Sequence, residues 1–274
     1  MNPEAQALAQ FVRRAKRIAV VSGAGVSTGS GIPDYRDRNG DWKHQRPVQY
    51  AQFIGSPAVR QRYWARSFTG WRRIADAEPN AAHLALAALE SAGRIETLIT
   101  QNVDGLHSRA GSRRVIDLHG RLAKVRCLEC QQLTSRTAWQ ARLGEVNRSW
   151  RGKAEFYAPD GDASLDEENV GSFNVPDCDA CGGVVKPDVV FFGENVPRER
   201  VASAVEATDR ADALLVVGSS LMVFSGYRFA RRVAECGKPL AIVNRGRTRA
   251  DDIATLKIDA DCEDVLARVS DACV

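Results

Sequence analysis

The strongest constraint on the fold is a repeated unit, in which a short apolar run ends in glycine or polar residues and a helical pattern follows. The apolar runs are RIAVVSGAG, RIETLITQNVD, RRVIDLHG, KPDVVFFGE, ADALLVVGSS, KPLAIVNRG and ATLKIDAD. Strands that are apolar along their whole length need cover on both faces, so the sequence predicts an α/β fold with a Rossmann-like parallel sheet and helices on both faces. Ligands of such sheets bind beyond the carboxyl ends of the strands, where the polar residues of this chain should converge.

Two stretches interrupt the alternation and predict a second, smaller domain. Residues 43–80 are rich in Arg, Trp, Tyr and Pro and have no clear strand, which indicates a helical insertion. Residues 124–184 hold two cysteine pairs and indicate a zinc-binding insertion. The Rossmann-like domain would then consist of residues 1–42, 81–123 and 185–274. The cleft between the two domains is the expected active site.

The cysteine pairs Cys127/Cys130 and Cys178/Cys181 both have the spacing C-x-x-C, and they account for four of the seven cysteines. The N-terminal segment lacks the unbroken apolar stretch of a secretion signal, so we expect a cytoplasmic protein in which the pairs bind metal rather than form disulfides. Four thiolates suit a tetrahedral Zn²⁺ and leave no open coordination position, which predicts a structural ion. The alternative is two redox-active or unliganded pairs.

Charge and hydropathy exclude other classes of protein. The net charge of this 274-residue chain is +4, too small a bias to indicate nucleic-acid binding. No apolar run approaches the roughly 18–20 residues that a membrane span requires. We therefore expect no nucleic-acid and no membrane partner.

A glycine-rich turn follows the first predicted strand. Gly23 and Gly25 would let the backbone approach a phosphate at the start of a helix. The usual dinucleotide fingerprint has a third glycine where this chain has Thr28, so a tight strand-to-helix turn without a ligand is the alternative. Asn244 and the GSS segment at 218–220 could supply further contacts to a ribose and to phosphates.

Polar residues at the ends of two neighbouring predicted strands indicate catalysis. Asn102, Asp104 and His119 could meet a nucleotide ribose and its leaving group, and a histidine of near-neutral pKa suits a general base. His107 is the rival base, although its place on a predicted helix favours a structural role.

The two remaining histidines, His44 and His83, lack such a setting. We expect each of them to face solvent or to serve packing.

The motifs together resemble those of the sirtuins, a family of NAD-dependent protein deacylases. The motifs GAGVSTGSGIPDYR, TQNVDGLH, LHG, both C-x-x-C pairs, KPDVVFFGE, GSSLMV and VNRG occur in the family's order between about Lys16 and Cys262. The connecting sequence is similar to the class II branch, which includes a mitochondrial sirtuin with lipoamidase and ADP-ribosyltransferase activities and its bacterial relatives.

The resemblance implies an NAD site and catalytic residues. His119 would be the base, and Asn102 and Asp104 would act at the nicotinamide end. The positions implied to bind the cofactor are Gly23, Ala24, Gly25, Thr28, Ile32, Pro33, Asp34, Tyr35, Arg36, Gln101, Asn102, Val103, Asp104, Gly218, Ser219, Ser220, Asn244, Arg245, Gly246 and Cys262. NAD would be consumed, giving nicotinamide, O-acyl-ADP-ribose and free lysine.

The resemblance also implies an acyl-lysine protein or peptide as the partner. The peptide would lie as an added strand between two segments, with contacts to Val190, Phe192, Gly193, Leu221 and Val223. The chain departs from the family pattern where Tyr35 replaces a common phenylalanine and where SLMVFSG lacks a common proline.

The pair Tyr63 and Arg66 resembles the residues with which desuccinylating sirtuins bind acidic acyl groups. The alternative is a helix face with Tyr63 in the core and Arg66 in solvent.

Three other functions compete with protein deacylation. Protein ADP-ribosyl transfer could use the same scaffold. A hydride-transferring NAD enzyme would also explain the glycine-rich turn and the parallel sheet. A nucleic-acid module would explain the zinc pairs and the arginines that alternate with aromatic residues in VRQRYWARSFTGWRR.

Overall fold

The elements alternate along the chain as the repeated unit predicts, with additional elements where the alternation is interrupted. In this computed structural model the described residues are 2–43, 47–152, 156–157, 159–161, 163–165 and 170–273, so His44 lies outside them. The strands are β1 (Ile18–Ser22), β2 (Ile95–Thr100), β3 (Val115–Asp117), β4 (Gly120–Cys127), β5 (Leu133–Ser135), β6 (Phe156–Tyr157), β7 (Ala163–Ser164), β8 (Val185–Val189), β9 (Ala213–Val217), β10 (Leu240–Val243) and β11 (Leu256–Ile258). The helices are α1 (Pro3–Arg14), α2 (Tyr50–Gly55), α3 (Pro57–Asp76), α4 (Ala81–Ser91), α5 (Leu106–Arg109), α6 (Arg136–Val146), α7 (Arg198–Arg210), α8 (Phe224–Glu235) and α9 (Cys262–Cys273).

The main sheet has six strands in the order β11-β10-β9-β1-β2-β3, and all of its pairings are parallel. Alternate residues of each strand enter different cores. Val20 and Leu215 pack with residues of α1, α4 and α9 on one face. Val21 and Leu214 pack with residues of α7 and α8 on the other. The predicted Rossmann-like sheet with helices on both faces is confirmed.

The strand order reverses between β1 and β9, and their carboxyl ends lie side by side. The amide of Gly23 donates to Val217 O at 3.1 Å, and the amide of Gly25 donates to Gly218 O at 2.9 Å. A Cβ on Gly218, whose φ is +58°, would lie 2.3 Å from the backbone nitrogen of Val26. The two turns therefore fit together only because these positions lack side chains.

A second group of elements packs around its own core. Strands β5, β4 and β8 form an antiparallel sheet, and β6 pairs with β7. Trp64 of α3, Trp139 of α6 and Phe173 are all buried in one cluster, so both interrupting stretches contribute to it. We call this group the small unit. The exact domain boundaries stay a prediction.

One strand prediction is wrong. The KPDVVFFGE segment was expected in the parallel sheet, but β8 pairs antiparallel with β4, for example at Cys127 and Val185. An apolar run indicates that a strand is buried but not which neighbour covers it. The pairing brings the residues after β8 to the edge of the main sheet, where Val190 N donates to His119 O at 2.8 Å.

Among the described residues, no helix is both long and apolar enough to cross a bilayer. The longest, α3, has twenty residues and carries several arginines along its length.

Candidate active site and metal centre

A cavity of about 380 Å³ opens at the carboxyl edge of the main sheet, where the strand order reverses. The small unit closes part of it through Tyr63, Pro159 and Asp160. The predicted site residues that line the cavity are Gly23, Ala24, Gly25, Ile32, Asp34, Tyr35, Arg36, Tyr63, Gln101, Asn102, Val103, Asp104, His119, Val190, Phe192, Gly193, Gly218, Ser219, Ser220, Leu221, Val223, Asn244 and Arg245.

Five predicted site residues are not part of the lining: Thr28, Pro33, Arg66, Gly246 and Cys262. The hydroxyl of Thr28 donates to Gly25 O at 3.0 Å, and Nε of Arg66 donates to Ala163 O at 2.8 Å. Cys262 is buried beside β10, with its Sγ 3.6 Å from Val243 O. Ligand contacts for these five residues stay a prediction.

Asn102 and Asp104 are held by the glycine-rich turn across the cavity floor. Nδ2 of Asn102 donates to Gly23 O at 3.0 Å and to the Ser27 hydroxyl at 3.1 Å. That hydroxyl donates in turn to Asp104 at 2.8 Å, and the amide of Leu106 donates to the other carboxylate oxygen at 2.9 Å. Burial raises the pKa of Asp104, and these two hydrogen bonds partly oppose the shift. The chain thus places a half-buried carboxyl and a fixed amide side by side.

His119 is hydrogen-bonded through both ring nitrogens. Nδ1 lies 2.9 Å from Gln101 O, and Nε2 lies 2.8 Å from the hydroxyl of Ser225. A carbonyl oxygen only accepts, so Nδ1 carries the proton and Nε2 accepts from Ser225. Burial lowers the pKa of His119 to about 4, and the positive charges of Arg200 and Arg228 act in the same direction. The ring is therefore neutral near pH 7, and its Nε2 lone pair is occupied by the Ser225 hydroxyl.

The rival histidine, His107, lies away from the cavity. It is 1% exposed, its Nε2 lies 2.8 Å from the Ser22 hydroxyl, and its ring packs 4.7 Å from that of His83. His83 is fully buried and its Nδ1 lies 2.9 Å from the Asn80 side chain at the start of α4. Both rings belong to the interior beneath the site.

Sequence reasoning missed Ser225 and Arg228, which lie one turn apart at the start of α8 and line the cavity. Ser225 occupies the segment in which the family's common proline is absent, so the missing proline was the available signal. Nothing in the sequence indicated that its hydroxyl would contact His119, because the two residues are separated by 106 positions. Gly226 permits this approach, since a Cβ there would lie 2.4 Å from Oε1 of Gln101.

An aromatic trio closes one side of the cavity. The rings of Tyr35, Trp42 and Phe192 meet edge to face, with centroids 5.5–6.1 Å apart. The guanidinium of Arg36 lies 4.1 Å from the centroid of the Trp42 ring, and its Nη1 donates to Gly40 O at 2.6 Å. These contacts fold the segment after Ile32 into a loop over the predicted nicotinamide end.

A buried ion pair fixes the segment that follows β8. Nζ of Lys186 lies 3.1 Å from Oε2 of Glu194 and also donates to Val189 O. The same carboxylate oxygen accepts from the amide of Phe191 at 2.8 Å. Residues 190–194 are thereby tied into a compact turn, and residues 219–224 line the same cavity. We call these two segments the walls of the cavity.

The four paired cysteines meet at one point of the small unit. Their Sγ atoms all lie within 4.8 Å of one another, with Cys127 and Cys181 at 3.5 Å and Cys130 and Cys178 at 3.7 Å. Tetrahedral zinc thiolates have sulfur atoms about 3.8 Å apart, given Zn–S bonds of about 2.3 Å, so the donor set fits Zn²⁺. A Cβ on Gly183 would lie 2.9 Å from the Cys127 Sγ, which explains the glycine beside the pair.

A parallel α/β sheet with a cavity at the point where the strand order reverses is the arrangement of enzymes that bind nucleotides. The sequence model described as "Sir2 family" matches residues 23–225. The chain belongs to the Sir2 family, the sirtuins.

Bacterial relatives are similar over almost the whole chain. A protein of Xanthomonas campestris pv. campestris named "NAD-dependent protein deacetylase" is 57% identical over 261 residues, which cover 95% of this chain and 89% of that one. "NAD-dependent protein deacetylase 2" of Bradyrhizobium diazoefficiens is 55% identical over 262 residues and 96% of each chain.

Solved structures share the fold. The structure titled "Sir2-p53 peptide-NAD+" has a TM-score of 0.79 and 32% identity, with 97% of each chain covered. "Sir2 bound to acetylated peptide" has a TM-score of 0.78, with the same identity and coverage.

Proposed function

We propose that the cavity binds NAD beside an acyl-lysine side chain of a protein or peptide, and that His119 is the general base of an NAD-dependent protein deacylase. The observation that carries this assignment is the imidazole of His119, which lines the same cavity as Asn102 and Asp104 and carries its proton on Nδ1, against Gln101 O. The membership of the family and the deacetylase relatives support the same activity.

The donor set of the cavity fits a dinucleotide. The turn at Gly23–Gly25 brings side-chain-free backbone to the cavity, and Ser219, Asn244 and Arg245 offer side-chain donors along the same edge. The carboxyl of Asp104 and the amide of Asn102 would hold the nicotinamide end. NAD would supply the ribose carbon that takes up the acyl oxygen as nicotinamide leaves, and one water molecule would then release free lysine and give O-acyl-ADP-ribose.

The protein's own part in the reaction is to orient groups and to move one proton. Gln101 O keeps the proton of His119 on Nδ1, which leaves Nε2 to accept a proton from a ribose hydroxyl. Gln101 is itself held, because its Nε2 donates to the Ser219 hydroxyl at 2.8 Å. The aromatic trio and the small unit exclude water from the reacting atoms.

We propose that the peptide lies between the two walls, with Val190, Phe192 and Gly193 on one side and Leu221 and Val223 on the other. Backbone pairing along such a strand supplies affinity with little demand on the peptide sequence.

Tyr63 lines the far part of the cavity and is 4% exposed, whereas Arg66 contacts Ala163 O. Only Tyr63 of the pair predicted to bind acidic acyl groups lines the cavity. The acyl groups to be tested therefore include neutral ones as well as acidic ones.

The experiment incubates the protein with NAD and peptides carrying acetyl-, succinyl-, glutaryl- or lipoyl-lysine. Mass spectrometry follows nicotinamide and O-acyl-ADP-ribose. We expect at least one peptide to give both products and His119→Ala to abolish them while NAD still binds, as measured by calorimetry. Nicotinamide release that no peptide changes would contradict the proposal, and ADP-ribose attached to protein would favour ADP-ribosyl transfer on the same scaffold.

We also propose a cytoplasmic location. The four clustered thiols support it, because reduced cysteines persist in a reducing compartment. Cell fractionation with an antibody to the chain tests it, and recovery in an oxidising compartment would contradict it.

A further inference from the structure

The start of α8 forms a basic and aromatic surface at the mouth of the cavity. Val223 and Phe224 are 37% and 48% exposed, large fractions for apolar side chains. The guanidinium carbons of Arg228 and Arg249 lie 5.2 Å and 5.9 Å from the centroid of the Phe224 ring. We call Arg228 and Arg249 the arginine pair.

The arginine pair differs from its neighbours in lacking carboxylate partners. On the same helix, Arg231 pairs with Glu235 at 2.8 Å, and Arg232 pairs with Asp209 at 2.5 Å. Within the described residues, no carboxylate oxygen lies within 4.0 Å of the nitrogens of Arg228 or Arg249; Arg228 lines the cavity, and Arg249 is exposed beside it. This contrast indicates that the arginine pair is available to bind a group from outside the chain.

Both arginines are held in place by aromatic contacts rather than by ion pairs. Arg249 lies 4.3 Å from the centroid of the Tyr227 ring, and its Nη1 donates to Met222 O at 3.4 Å. Arg228 lines the cavity, and its Nε is a buried donor without a hydrogen-bond partner among the described residues. Guanidinium groups ordered in this way lose little side-chain entropy when they bind an anion.

The position of the arginine pair indicates which kind of anion reaches it. Met222 O, to which Arg249 donates, and Phe224, over which both arginines lie, belong to the wall of residues 219–224. A strand between the walls would carry the side chains that flank the acyl-lysine past this surface, since alternate side chains of an extended peptide point to the same face.

The geometry points to a substrate preference: the arginine pair binds an acidic side chain that flanks the acyl-lysine. This inference rests on the proposed function, because it concerns the peptide that the deacylase accepts. It predicts that acyl-lysines in Asp- or Glu-rich segments are deacylated faster than those in neutral or basic segments.

The test compares three peptides with the same acyl-lysine, flanked on both sides by Glu, Ala or Lys. We expect kcat/KM for the Glu-flanked peptide to exceed that for the Ala-flanked peptide by about three- to tenfold, the size expected of one or two partly exposed ion pairs. The Lys-flanked peptide should be the poorest. The preference should shrink at about 0.5 M salt, because salt screens exposed charges.

The variants Arg228→Gln and Arg249→Gln should each reduce the Glu-to-Ala ratio of kcat/KM, and the double variant should bring it close to one. A ratio within one variant cancels general effects on folding or chemistry. Replacing both arginines by glutamate should invert the preference toward the Lys-flanked peptide. The matched control is Arg231→Gln, on the same helix but already paired with Glu235, and it should keep the wild-type ratio.

Equal kcat/KM for the three peptides would overturn the inference, as would a double variant that keeps the preference. A rise in KM for NAD with unchanged flank preference would assign the arginine pair to the dinucleotide and overturn it too. Failure of the proposed function is distinct, because no peptide would then be deacylated, the Ala-flanked one included.

Discussion

At the scale of single residues, His119 is hydrogen-bonded through both ring nitrogens. The two partners, Gln101 O and the Ser225 hydroxyl, differ in their freedom to move. Gln101 O is a backbone atom at the end of β2, so it fixes the Nδ1 proton permanently. Ser225 offers a hydroxyl that can rotate, and it occupies the lone pair that the reaction needs. The protein therefore holds its proposed base, His119, in a fixed orientation and neutral, while the Ser225 hydroxyl covers Nε2.

Ser225→Ala tests this arrangement. A hydroxyl that donates to Nε2 stabilises the neutral ring, so its removal should raise the pKa of His119 from about 4. The acid limb of the pH profile of kcat/KM should then move to higher pH, because the base is lost as pH falls through its pKa. We expect kcat to fall about two- to tenfold, the worth of one hydrogen bond.

Ser225→Thr keeps the hydroxyl and should restore both the rate and the profile. Ser203→Ala, on the exposed side of α7, is the matched control and should change neither. Steady-state rates between pH 4.5 and 8 measure the effect, and an unmoved acid limb in Ser225→Ala would show that the hydroxyl does not act through the base.

At the scale of elements, the contact between the turns after β1 and β9 shapes the edge of the cavity at which we propose that the dinucleotide binds. Gly218→Ala should disturb it, because the new Cβ would lie 2.3 Å from Val26 N at a residue with φ +58°. We expect KM for NAD to rise at least about tenfold and the free energy of unfolding to fall by more than about 2 kcal/mol. Urea unfolding and initial rates at varied NAD measure these two quantities.

Gly93→Ala is the control for backbone strain alone. Gly93 follows α4 with φ +75°, and no heavy atom lies within 4 Å of the position of its Cβ. The Gly93→Ala substitution should lower the free energy of unfolding only by the penalty for a left-handed residue with a side chain, about 1–2 kcal/mol, and should leave KM for NAD unchanged. If Gly93→Ala and Gly218→Ala have the same effects on KM for NAD and on the free energy of unfolding, close packing of the turns does not explain why position 218 is a glycine.

The elements also show how far sequence reasoning reached. Apolar runs such as β1 and β9 were predictable, because burial on both faces leaves a continuous apolar pattern in each strand. The partner of β8 was not, because composition does not encode which sheet a buried strand joins. The cysteine cluster could be predicted from the spacing of the two pairs. The positions of Ser225 and Arg228 at the cavity could not be predicted, because they depend on how α8 packs against the end of β2, and no local sequence pattern encodes that packing.

At the scale of the whole molecule, the cysteine cluster decides whether the small unit keeps its shape. Cys127 and Cys178 are buried, and the cluster joins the end of β4 to the segment before β8. Cys127→Ser should release the zinc and expose the small unit to proteases, while the parallel sheet stays folded, because a structural zinc contributes folding free energy directly.

Metal content by mass spectrometry and limited proteolysis measure this prediction. Cys236→Ser is the control, since Cys236 is exposed and lies outside the cluster at the end of α8, so that variant should keep its zinc. A Cys127→Ser protein with full zinc content and unchanged proteolysis would show that the four thiolates do not hold the metal.

The placement of the tryptophans has a practical consequence. All five fall between positions 42 and 150; Trp64, Trp71, Trp139 and Trp150 belong to the small unit, and Trp42 joins the aromatic trio at the cavity. Tryptophan fluorescence is therefore silent about the parallel sheet. Emission from the four reports the state of the small unit, while emission from Trp42 reports the aromatic trio at the cavity, and mutating Trp42 alone separates the two signals without any attached dye.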